Sequence, residues 1–173
     1  MCTNVTKNIV DYYTNQGSHV FLCFICFSKA YDKVNYWKFV HKVLDDHVSS
    51  DVGLLTFWYS NQSSRIRWKS TLSAAFTNSN GTRQGGILSP YLFTRYMREL
   101  IYDVSHFGVG CNIGGAFYNM LAYADDGLLA PSWGALQHLI NLLSSCAAEI
   151  DMSCNASKTV CIRCSSLFVR ESL

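Results

Sequence analysis

The run from His19 to Phe27, HVFLCFICF, is almost continuously apolar. A half-buried strand would alternate apolar with polar residues. An unbroken short run reads instead as a central strand covered on both faces. That one segment commits the chain to a sheet, and the remaining segments must supply its partners and its cover.

Candidate partners lie far along the chain. Leu121 to Ala130 holds two short apolar runs around Asp125-Asp126. Such a pattern is a hairpin with an acidic turn, since Asp tolerates turn conformations. Val160 to Phe168 reads as a last strand with a ragged end. Candidate cover comes from helical patterns. Residues 1–17 suggest a helix running into the turn cluster Asn15-Gln16-Gly17-Ser18. Lys33 to Asp46 places Val34, Trp37, Val40, Val43 and Leu44 at helical spacing. Leu54 to Tyr59 reads as a short helix. Ile87 to Tyr102 reads as a longer one, started by Ser89-Pro90. After Ser132, a plausible N-cap, the residues Leu136, Leu139, Ile140, Leu143, Ala147 and Ile150 form one stripe that predicts a helix across the back of the sheet. Between these, Arg65 to Phe76 alternates as an exposed hairpin, Asn80-Gly81 is a turn, and Gly108, Gly110, Gly114 and Gly115 mark a loop with turns. Strands and helices alternate without the even spacing of a parallel array. The expectation is the α+β class, an antiparallel sheet backed by helices.

Composition supports one domain of this kind. Of 173 residues, 49% are hydrophobic and 15% charged, enough for a core and too few charges for disorder. The net charge of +2 gives only a faint basic advertisement to nucleic acid. No apolar run reaches about 18 residues, so no membrane span is expected, and the opening residues are too polar for a signal-peptide core. Eight cysteines include the pairs Cys23/Cys26 and Cys161/Cys164. Their C-x2-C spacing fits zinc ligands, but zinc knuckles lie in turns, and Cys23 and Cys26 fall on a strand, where residues three apart point to opposite faces. Without a secretion signal, a disulfide framework is not expected either.

Taken alone, Asp125-Asp126 is a solvated turn or a site for a hard cation. Two carboxylates that close repel unless a cation lies between them, and magnesium takes one or two carboxylates plus substrate phosphates. The neighbouring segments bear on that choice. Tyr123-Ala124-Asp125-Asp126, Phe27-Ser28-Lys29-Ala30-Tyr31-Asp32-Lys33-Val34-Asn35, Asn80-Gly81-Thr82-Arg83-Gln84-Gly85-Gly86-Ile87-Leu88-Ser89-Pro90, Phe57-Trp58-Tyr59-Ser60-Asn61-Gln62 and Asn155-Ala156-Ser157-Lys158-Thr159 stand at definite spacings. Together they resemble the ordered motifs of reverse transcriptases, and most of all the non-LTR (LINE-type) retrotransposon branch. The resemblance runs from about Tyr12 to Cys164.

The resemblance implies a polymerase palm, a single partial domain over 1–173 with its core at about 19–168, part of the fingers and no thumb. It implies RNA-directed addition of deoxynucleoside triphosphates to a DNA primer on an RNA template, with two Mg2+ ions, or Mn2+ in their place. Asp125 and Asp126 would hold metal, Lys158 would protonate the leaving pyrophosphate, Tyr31 would lie under the incoming sugar, and Arg83, Gln84, Gly85 and Gly86 would line the template and nucleotide pocket. The fingers and thumb of a longer polyprotein would be further partners. The family's third metal-binding Asp falls at position 26, where this chain has Cys26. A thiol is a poor ligand for magnesium, and Asp32, past the strand end, already has its own place in the family motif. The expectation is a palm whose activity is impaired or lost. The alternative is a non-enzymatic retroelement remnant with residual nucleic-acid or protein binding.

Overall fold

The computed structural model describes residues 2–46, 49–122 and 126–165. They form two compact units, one of residues 1–28 and 99–173, the other of residues 29–98.

The first unit is built on β1 (Val20–Ile25), with α1 (Cys2–Asn15) before it. β1 is the middle of a four-stranded sheet. It pairs antiparallel with β9 (Asp126–Ala130) on one side and β10 (Val160–Cys164) on the other, and β8 (Met120–Ala122) extends β9. The register sets which side chains share a face, because directly opposed residues in an antiparallel pair point the same way. Val20 and Leu22 share a face with Leu129, and pack with Ile9 of α1 and with Cys111. Phe21, Cys23 and Ile25 lie on the other face with Ala130, Leu128 and Asp126. That face is covered by α5 (Trp133–Glu149), which packs on β9 and β1 and sets Trp133 against Phe21 at 4.6 Å between ring centroids. The unbroken apolar run is therefore buried from both sides, as its composition required. Only Phe24, at the end of the α1 face, is 43% exposed.

α5 begins where Ser132 accepts a hydrogen bond from the Ala135 amide at 3.2 Å, and it buries Leu136, Leu139, Leu143 and Ala147. The glycine-rich stretch is more ordered than its composition suggested. Cys111–Ile113 (β6) and Ala116–Tyr118 (β7) form a hairpin whose two-residue turn is Gly114-Gly115, both at positive φ. That is the combination a twisted hairpin favours.

In the second unit, α2 (Tyr36–Asp45) starts later than the spacing predicted. Ala30–Lys33 is a single 3-10 turn, and Asn35 caps α2 by accepting from the Trp37 and Lys38 amides. The face that packs is Tyr36, Phe39 and Val43, whereas Trp37 and Leu44 of the expected stripe are exposed. α3 (Ser49–Ser60) is longer than expected. It sets Tyr59 edge-on to Tyr36 at 4.8 Å. Ser63–Ser64 (β2) pairs with Phe76–Thr77 (β5), and the expected exposed hairpin between them is Arg67–Trp68 (β3) with Thr71–Leu72 (β4). α4 (Ser89–Ser105) crosses from this unit into the first. Its buried Arg95 bonds the Asp46 carboxylate and reaches the Lys42 carbonyl at 2.6 Å. No helix among the described residues is long and apolar enough to cross a membrane.

Candidate active site

The expected site residues divide between the two units. In the first unit, Asp125 and its neighbours Tyr123 and Ala124 lie outside the described residues. Asp126 opens β9, opposite Ile25 of β1. It therefore stands on the face covered by α5, and its charge helps to raise the Cys154 thiol, although burial does more. Gly127 stands on the opposite face, where an added Cβ would meet Phe24 at 4.0 Å. The two residues thus separate as a strand requires.

Cys26 follows Ile25, the partner of Asp126, and is half-buried. Its carbonyl accepts from the Asn155 amide at 2.7 Å, and its amide faces the Thr159 hydroxyl at 3.5 Å. Asn155 in turn closes a tight turn, accepting from the Lys158 and Thr159 amides at 3.1 and 2.9 Å. The backbone thus ties the exposed Lys158 turn to Cys26. The motif string placed both residues in a site, but nothing in it marked Asn155 and Thr159 as the ties. A bridge between Phe27 and Cys154 continues the attachment.

In the second unit, Tyr31 stacks on Phe93 with ring centroids 4.7 Å apart and planes 20° apart. The loop holding the other candidates is bonded beneath that motif: the Thr82 amide donates to the Tyr31 carbonyl at 2.7 Å and the Gly81 amide to Val34 at 2.9 Å. Arg83 is exposed, and its charge lowers the Tyr36 and Tyr59 hydroxyls against a larger rise from burial. The Arg83 carbonyl is held by the Gly86 amide and the Ser89 hydroxyl. Gly85 supplies the positive φ of 77° that this turn needs.

Arg83 and Gln84 line a polar cleft of about 390 Å³ with Asp32, Gln62, Asn78 and Thr82. Gly86 lies instead on a neighbouring cleft of about 530 Å³ beside Trp58, and Gly85 lines neither. Two residues of the polar cleft, Tyr36 and Thr82, have buried hydroxyls without a hydrogen-bond partner among the described residues. Sequence reasoning missed both. A buried threonine next to Gly81 has no signature in composition, and Tyr36 was hidden by the misplaced helix face.

The described donors do not fit a pair of magnesium ions. They offer one carboxylate, Asp126, on the helix-covered face, and the soft Cys26 thiol. Among the described residues no group of three His, Cys, Asp or Glu side chains is placed to hold a metal ion.

A family model described as reverse transcriptase (RNA-dependent DNA polymerase) matches residues 2–168. No curated protein matches the chain in sequence. Among solved structures, the chain is similar to telomerase from Candida tropicalis in complex with a TWJ fragment of telomeric RNA, with a TM-score of 0.65 and 12% identity over 93% of this chain and 28% of that one. It is also similar to apo telomerase from Candida tropicalis truncated from the C-terminal domain, with a TM-score of 0.55 and 13% identity over 92% and 34%. Telomerase from Candida albicans with a TWJ fragment of telomeric RNA gives a TM-score of 0.54 and 16% identity over 94% and 30%. The chain spans about a third of the length of these structures or less.

Proposed function

Because the chain belongs to the reverse transcriptase family, matched over residues 2–168, we propose that it is the palm-centred part of an RNA-directed DNA polymerase of the LINE type, impaired at its metal position. The substrates in this reading are an RNA template, a DNA primer and deoxynucleoside triphosphates, and the parent chain supplies fingers and thumb. Cys26 carries the proposal of impairment. It follows the strand residue opposite Asp126 and is tied by backbone to the Lys158 turn. Its nearness to the start of β9 and to that turn supports reading position 26 as the one where the family carries a metal-binding carboxylate.

The other roles rest on local geometry together with the motif matches. Tyr31, stacked on Phe93, presents a braced ring for a sugar to rest on. Arg83 and Gln84 stand at a polar cleft with donors for phosphate or base edges. Lys158 is exposed on its bonded turn, which supports reading it as the proton donor to a leaving group. Asp125 and Asp126 remain the proposed metal carboxylates.

The test is primer extension on an RNA template by the chain and by Cys26→Asp, with Mn2+ binding followed in parallel by tryptophan quenching. The expected result is tighter Mn2+ binding by the variant, and extension that is absent or weak in the parent and gained in the variant. Equal Mn2+ affinity in both would refute the assignment of position 26. Brisk extension by the parent would refute the impairment.

A further inference from the structure

We propose that Cys23 and Cys161 form a modification site: a cross-strand dithiol that an oxidant of the peroxide class closes reversibly into a disulfide. The proposal is independent of the polymerase reading. Cys23 and Cys161 are directly opposed in the β1–β10 ladder. Their side chains therefore point to the same face, and the two sulfurs lie 2.9 Å apart. Opposed residues in an antiparallel pair have Cα atoms about 4.5–5.5 Å apart, inside the window of about 4.4–6.8 Å that a disulfide accepts. The S–S bond of about 2.0 Å needs the sulfurs to approach by less than about 1 Å.

The two thiols are also unequal in the way such a reaction uses. β10 is an outer strand of the sheet, and Cys161 on it is exposed. Cys23 lies on the central strand and is fully buried. Burial first, and then the neighbouring Cys161 sulfur, hold Cys23 in its protonated form. Peroxide thus meets Cys161 first. The Cys161 sulfur attacks one peroxide oxygen, an S–O bond forms, the O–O bond breaks, and water is released once a proton is taken up. The Cys23 sulfur then attacks the Cys161 sulfenic acid. An S–S bond forms, the S–O bond breaks, and hydroxide leaves as water with the Cys23 proton. Two thiols lose two electrons and one peroxide becomes two waters. Thiol reagents reverse the step by exchange.

The bond would staple the central strand to an outer one three residues before Cys26 and two residues after Thr159. The stapled residues thus bracket the backbone ties between Cys26 and the Lys158 turn.

The experiment treats the folded full chain with hydrogen peroxide, blocks remaining thiols with iodoacetamide, and maps the non-reduced digest. The expected result is a Cys23–Cys161 linked peptide as the main product, two fewer alkylated cysteines, and recovery of both with dithiothreitol. Cys154→Ser should leave the link intact, which matters because Cys154 is close enough to influence the Cys23 thiol. The proposal is overturned if Cys161 proceeds to sulfinic acid while Cys23 stays reduced, or if Cys23 is found bonded to Cys154. It also fails if the Cys23–Cys161 link is no more abundant than in urea-unfolded chain, where the eight cysteines pair without guidance.

Discussion

Replacing Gly81 by alanine tests how the loop of the second unit is anchored. Gly81 has φ 93°, and a Cβ there would sit 2.9 Å from the Asp32 Cα, 3.0 Å from the Asp32 carbonyl oxygen and 3.1 Å from the Tyr31 carbonyl oxygen. All three are backbone atoms, so no side chain can swing aside. The positive φ costs an alanine about 1–2 kcal/mol. Forcing the loop off the 31–34 segment adds about 1–3 kcal/mol. The hydrogen bonds at risk are those from Gly81 to Val34 and from Thr82 to Tyr31. Gly85 is the matched control: it lies in the same loop at φ 77°, and an added Cβ would meet nothing within 4 Å. Gly85→Ala should lose only the strain of about 1–2 kcal/mol. At about 2–4 °C per kcal/mol for a chain of this size, thermal melting followed by circular dichroism should show a Tm fall in Gly81→Ala about twice that of Gly85→Ala or more. Equal falls would mean that the close approach to Asp32 does not exist, and the anchoring argument would fail with it.

Three further outcomes are expected. The Cys111 thiol is pushed up to about 11, chiefly by burial, so the folded chain keeps a proton that the unfolded chain releases above its ordinary value of 9.0. Its contribution to stability is complete below about pH 9 and falls by about 1.4 kcal/mol per pH unit above it; urea midpoints across this range should fall less steeply in Cys111→Ala, and parallel curves would refute the assignment. Asn119→Ala removes a buried amide that donates to the Val104 carbonyl at 2.7 Å and the Ser105 carbonyl at 3.3 Å, at the end of α4; a loss of about 1–3 kcal/mol in denaturant unfolding is expected, and a neutral result would show that water replaces it. Arg95→Leu should destabilise by about 1–3 kcal/mol because the Asp46 carboxylate and the Lys42 carbonyl lose a buried partner. Arg98→Ala, 66% exposed beside the same carboxylate, should stay within about 0.5 kcal/mol; the same melts compare them, and a reversed order would refute the argument.

The parts of the fold legible in the sequence are those where one local rule acts alone. Val20–Ile25 is apolar throughout because both faces are covered, and Ser132 reads as a cap because its oxygen meets the Ala135 amide. Legibility fails where two rules compete. The spacing from Val34 to Leu44 fits a helix face, but Asn35 caps the helix and leaves Val34 outside it, and the face that packs is Tyr36, Phe39 and Val43, with Trp37 at the surface. In 111–118 the glycines read as turns and Gly114-Gly115 is one, but the strands it joins have only three residues each, too few to show a pattern. The candidate residues themselves were legible as a string of motifs. What could not be read was long-range pairing. The approach of Cys161 to Cys23, and of Asn155 to Cys26, depends on the register of β10, and no local pattern encodes register between strands so far apart.

The order of strands in the sheet also has a consequence during synthesis. Ile25 must find Asp126 about a hundred residues later, and Phe24 must wait longer still for Val160. While the ribosome goes on through residues 29–98, which form a compact unit of their own, the segment Val20–Ile25 leaves the exit tunnel without its partners. At about 5–20 residues per second, that interval lasts on the order of ten seconds. An apolar strand with both edges unpaired is then a target for chaperones or for like strands on neighbouring nascent chains. The segment that organises the finished sheet is thus the one most exposed to misassembly before the sheet exists.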